Sequence, residues 1–121
     1  MRSVFRAALV IAMLTILALS IVPPAWRPVT GIPHIVEHFV IFAVAGAALA
    51  LSSSRGWPAL AVVLLAFAAF AEVIQLPIPG RHARISDFAV DTLGAWLGLA
   101  LGLASCGLAR RLTRKEPPEA S

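Results

Sequence analysis

The chain has 121 residues, of which 60% are hydrophobic and only 13% charged, and its mean hydropathy is +0.89. A soluble domain carries about 25% charged residues, so a small soluble globule with a wet surface is excluded. The lone Cys106 excludes a disulfide scaffold, and the apolar content excludes intrinsic disorder of the main part. What remains is an all-α integral membrane protein, with room for four or five spans of about 20 residues each.

The apolar runs predict a bundle of four transmembrane helices. The first covers Val4 to Val22. Arg2, Arg6 and the stretch Ala18-Leu19-Ser20 also fit a signal peptide with a cleavage site. The apolar run continues into Ile21 and Val22, which favours a retained span. Pro23, Pro24, Pro28, Gly31 and Pro33 break the chain before the second run, His34 to Leu51. The Ser52-Ser53-Ser54-Arg55-Gly56 segment leads to the third, Trp57 to Leu76. Pro77, Pro79 and Gly80 precede the fourth, Ser86 to Ala109. Residues 1–109 thus read as one membrane domain. The tail, 110–121, is basic and then acidic, and is expected to be a disordered cytoplasmic end.

Orientation follows from the basic residues. With the N-terminus inside, Arg2, Arg6, Arg55, Arg110, Arg111, Arg114 and Lys115 lie on the inner side and Arg27, Arg81 and Arg84 on the outer. This bias predicts both termini in the cytoplasm. The pI near 11.1 then reflects anchoring at the inner leaflet, and no nucleic-acid module is present. Trp26 and Trp57 are expected to anchor the two interfaces.

Polar residues inside apolar runs are costly and are the default candidates for function. Glu37, Glu72, Asp87 and Asp91 fall in or beside the spans, with His34, His38 and Gln75. Arg81, His82 and Arg84 lie on the loop between the third and fourth spans. All gather at the outer ends of three helices. His34 and His38, like Asp87 and Asp91, are four apart and share a face; Glu72 and Gln75 are three apart. Gly94, Gly98 and Gly102 continue the Asp87/Asp91 stripe, a doubled small-xxx-small pattern that admits a close neighbour and turns the aspartates into the bundle. On the third span the stripe below Glu72 reads Ala68 and Ala69, then Leu65 and Ala61; on the second, Ala45 lies below His38.

The stretch Glu72-Val-Ile-Gln75-Leu-Pro-Ile-Pro79-Gly80-Arg81, followed by Ser86-Asp87 and Asp91-Thr92-Leu93-Gly94, resembles the signature of VanZ-like membrane proteins. His38-Phe39 resembles the family's second motif, a His followed by an aromatic at a helix start. The resemblance spans about residues 34 to 102. It departs at Asp91, where the family commonly has Asn, and at Ile35, where a Lys often stands. It implies a multi-pass protein of a bacterial inner membrane, and the founding members are associated with low-level resistance to the glycopeptide teicoplanin.

Three readings of the polar cluster compete. As an enzyme site, Glu72, with His38 or His82, would act as acid or base and Asp87 as orienter, with Arg81 and Arg84 binding the phosphate of a lipid-linked envelope precursor. As a binding site, Arg81, Arg84, Gln75 and Asp91 would hold an anionic headgroup, a wall precursor or the glycopeptide itself. As a structural lock, Glu72, Gln75, Arg81, Asp87 and Asp91 would pair internally. Arg27, His34 and His82 read as wet interface residues. A metal centre from His34, Glu37 and His38 lacks a convincing ligand set, so no metal and no cofactor is expected. Ser86 beside Asp87 has no nucleophile elbow, and Cys106 reads as a packing residue. The expected partners are membrane lipids and an anionic precursor or a glycopeptide. A homo-oligomer stays open, although no span carries polar residues along its full length.

Overall fold

The computed structural model describes residues 1–114. Four α-helices make up the fold: α1 (Arg2–Ile21), α2 (His34–Ser52), α3 (Trp57–Val73) and α4 (Ile85–Thr113), with a 3-10 turn at Pro24–Trp26 between α1 and α2. No strand occurs among the described residues. The chain is therefore all-α, as its composition predicts. α1, α2 and α4 are long and apolar enough to cross a membrane. At about 1.5 Å per residue α3 measures roughly 25 Å, just short of a hydrocarbon core of about 30 Å.

The helix ends follow local chemistry. α2 starts directly after Pro33, and α3 starts with Pro58 in its first turn, where a missing N–H costs nothing. α3 ends at Val73, three residues before the apolar run does. Pro77 and Pro79 have no N–H to give, and the backbone turns instead through bonds from Gln75 N to Glu72 O (3.2 Å), Leu76 N to Val73 O (3.1 Å) and Ile78 N to Gln75 O (3.0 Å). Gly80, at φ +77°, completes the reversal in a region other residues avoid. α4 continues through Thr113, four residues past the expected span end, with Arg110 and Arg111 favourably placed at its negative pole. Residues 115–121 of the tail expected to be disordered lie outside the described residues.

α2 and α4 form the most extensive interface, α1 packs on α2, and α3 packs on α4. Between lipid-solvated helices no hydrophobic drive exists, so close backbone approach and dispersion must hold the pair. The glycine stripe supplies that approach. A Cβ on Gly94 would overlap the Phe39 carbonyl, and one on Gly98 the Ala43 carbonyl; on Gly102 it would stand 3.0 Å from the Ala47 oxygen. Steps of four on α4 meet steps of four on α2, so the two helices run side by side in the same direction. Gly46 returns the contact against the Ala95 carbonyl. The predicted packing face is therefore the real one, and Asp91 on it is 1% exposed.

On α3 the predicted stripe holds at Glu72 and Ala68, with Ala61 and Ala69 half-buried, and fails at Leu65. Leu60, Leu64, Ala68, Ala71 and Glu72 are buried, whereas Leu65 is 36% exposed. A nearly uniform apolar helix offers lipid and neighbours the same chemistry all round, so its sequence does not mark the inner face.

Candidate functional site

The C-terminal ends of α1 and α3 and the N-terminal ends of α2 and α4 meet at one end of the bundle. His38 lies about 6 Å into α2 and Asp91 about 9 Å into α4 along their axes. Glu72 lies in the last turn of α3. The close α2–α4 approach brings His38 Nδ1 to 2.9 Å from Asp91 Oδ1, the one ion pair within 4 Å among the described residues. Ligand-type atoms of His38, Glu72 and Asp91 all lie within 4.8 Å of one another. Glu72 and Asp91 are both buried.

The proton on His38 can be placed from its partners. Arg27 has only N–H donors, and its Nη2 lies 3.4 Å from His38 Nε2. Nε2 therefore accepts, and Nδ1 carries the hydrogen donated to Asp91 Oδ1. Arg27 Nη1 also donates to His34 Nδ1 at 2.7 Å, and the two imidazoles meet edge to face with centroids 4.1 Å apart. Thr30 donates its hydroxyl to Glu37 Oε1.

The other expected site residues divide by role. Arg81 points back to α1, where its Nη2 donates to the Leu19 and Val22 carbonyls at 2.6 and 2.8 Å. Burial, then the neighbouring Arg27 charge, lower its guanidinium pKa from the ordinary value, with Glu72 opposing. Gln75 is buried in the turn after α3 and donates from Nε2 to Ala71 O (3.1 Å) and Glu72 Oε1 (3.4 Å). Arg84 contributes its backbone amide, 3.3 Å from Glu72 Oε2, while the residue is exposed. Asp87 is half-buried and accepts from Ser86 Oγ at 3.4 Å. No arginine lies within 4 Å of a carboxylate among the described residues. Of the internal lock that the sequence suggests, the Gln75–Glu72 contact forms, whereas Arg81 turns to the α1 carbonyls and no Arg–carboxylate pair is made; Arg27 lies on one edge of His38 and Asp91 on the other.

The Arg27 edge of His38 faces a cleft of about 160 Å³ between α1 and α2. Its mouth is polar, formed by Arg27, Thr30, Glu37 and His38, and its walls are Ile16, Leu19, Ile41 and Phe42. A broader apolar groove shares Glu37 and Ile41 with it. The combined surface is polar at one end, where Arg27 and Glu37 both lie, and apolar along its length.

The sequence places Arg27 among wet interface groups; the structure leaves it half-buried and adds contacts to His34 and His38 that the sequence does not announce. Prolines at 23, 24 and 28 flank it, and the 3-10 turn they start folds the chain back over α2. Proline density around one cation is the available signal. Asp91 Oδ2, Thr92 Oγ1 and Arg81 Nε are buried without hydrogen-bond partners. An unpaired buried carboxylate oxygen costs about 1–3 kcal/mol or more.

Comparison with known proteins agrees with the motifs. The profile of the VanZ/LLP1 family matches residues 3–106. No curated protein and no solved structure matches the chain.

Proposed function

We propose that this chain, which belongs to the VanZ/LLP1 family, binds the anionic headgroup of a lipid-linked envelope precursor at the outer end of its bundle, and thereby modulates susceptibility to glycopeptides such as teicoplanin. One observation carries the reading. Arg27, with no carboxylate within 4 Å, stands at the mouth of the apolar-walled α1–α2 cleft. A guanidinium there offers a phosphate paired N–H donors, while the walls take the first carbons of the chain. The excess of arginine at the other end of the bundle supports an inside location for the termini, and on that reading the cleft opens at the outer face of a bacterial inner membrane. His34 and His38 accept from Arg27 now and would yield it to an anion.

The test compares teicoplanin susceptibility of a deletion strain complemented with the native chain or with Arg27→Ala at matched protein levels. The native chain restores the parental susceptibility and Arg27→Ala does not. Equal complementation by both would refute a role for this cleft.

A second reading, acid–base chemistry on the bound phosphate ester, is supported by the orientation of His38. Its Nδ1–H is held by Asp91, which leaves the Nε2 lone pair directed toward the cleft mouth.

A further inference from the structure

We propose that His38, Glu72 and Asp91 form a binding site for one divalent transition-metal ion of the Zn²⁺ class. This site lies on the opposite edge of His38 from the headgroup cleft and does not rest on the anionic-lipid reading.

Three helices each supply one ligand atom, α2 an imidazole nitrogen and α3 and α4 one carboxylate oxygen each, all within 4.8 Å. Atoms bound to one tetrahedral ion at about 2.0–2.1 Å stand about 3.3 Å apart, so side-chain adjustment alone closes the set. An independent observation points to a missing partner. Asp91 is 1% exposed, and its Oδ2 has no hydrogen-bond partner although the residue belongs to this cluster. Charge agrees. Two buried carboxylates approach each other with no arginine within 4 Å among the described residues, and a dication balances them.

The surroundings are those of an orienting shell. Gln75 Nε2 lies 3.4 Å from Glu72 Oε1, and the Arg84 amide 3.3 Å from Glu72 Oε2, which fixes the carboxylate plane. One imidazole with two carboxylates selects a borderline ion over Ca²⁺, which takes six to eight oxygens, or Mg²⁺, which keeps most of its waters. Three protein ligands leave a fourth position open. Loading moves one proton: Nδ1 of His38 loses its hydrogen to the metal bond and Nε2 gains one, so the ring stays neutral. Nε2 then no longer accepts from Arg27, which keeps its shorter bond to His34.

The experiment titrates Zn²⁺ into the purified full chain in detergent by calorimetry, with metal analysis after dialysis and a thermal melt with and without the ion. One ion per chain is expected, with a raised melting midpoint. Glu72→Gln, Asp91→Asn and His38→Gln should each weaken binding at least 100-fold, whereas His82→Ala and Cys106→Ser leave it unchanged. Wild-type protein without stoichiometric binding overturns the proposal. So does binding that survives all of the three ligand substitutions that fold, or that disappears in His82→Ala or Cys106→Ser.

Discussion

Arg81→Ala tests whether this arginine fastens the bundle. Its Nη2 closes two carbonyls at the end of α1, Leu19 at 2.6 Å and Val22 at 2.8 Å. The last carbonyls of a helix have no partner within it, so these bonds replace water or lipid headgroup contacts. Hydrogen bonds from a charged donor contribute about 1.5–3 kcal/mol each. A cation near a helix C-terminus adds about 0.3–1 kcal/mol. Arg81 is only half-buried, and water reaches part of the gap after truncation. The low end of the range applies, and the expected loss is about 3 kcal/mol. Arg81→Lys keeps the charge but offers a single ammonium to two acceptors, and should lose about half as much. Arg84→Ala removes a neighbouring cation at an exposed position and should change stability by less than about 0.5 kcal/mol. The assay is reversible unfolding in mixed micelles with a denaturing detergent, followed by far-UV circular dichroism. If Arg81→Ala and Arg84→Ala coincide within error, the assignment of Arg81 to α1 is wrong.

The glycine stripe makes an opposed pair of predictions. Gly98→Ala drives a Cβ into the Ala43 backbone carbonyl, which cannot rotate away, and should destabilise by about 3 kcal/mol or more in the same assay. A methyl on Gly107 would meet nothing within 4 Å, so Gly107→Ala should gain up to about 1 kcal/mol of helix propensity. His38→Gln separates binding from acid–base chemistry. If the protein only binds, the variant keeps most of its glycopeptide phenotype; if His38 transfers protons, the phenotype is lost at unchanged protein level.

Much of this arrangement is legible in the residues alone. Polar positions inside apolar runs mark His38, Glu72 and Asp91, among others such as Glu37, Asp87, His34 and Gln75, because burying them in lipid without company is costly. Glycines at 94, 98 and 102 mark the α4 face that meets α2, because only a bare backbone permits that approach. What escapes depends on contacts far apart in sequence. Arg81 binds carbonyls about sixty positions earlier, and no side-chain pattern announces a carbonyl acceptor. Arg27 reaches α2 through a proline-directed turn, and a turn's direction is not written in hydropathy. On α3 the expected stripe holds at Ala68 and Glu72, but Leu64 is buried in place of Leu65, since alanine, valine and leucine serve lipid and core equally there.

The central claim is that an anionic lipid seats its head at Arg27 and its chain between α1 and α2. It is tested most directly by photo-cross-linking. A polyprenyl pyrophosphate carrying a diazirine near the head would be incorporated into nanodiscs with the purified chain, irradiated, and the adducts mapped by mass spectrometry. Adducts should concentrate at Ile16, Leu19, Ile41 and Phe42, which wall the cleft, and fall at least tenfold in Arg27→Ala. Adducts spread over the lipid-facing sides of α3 and α4, or undiminished in Arg27→Ala, would contradict it.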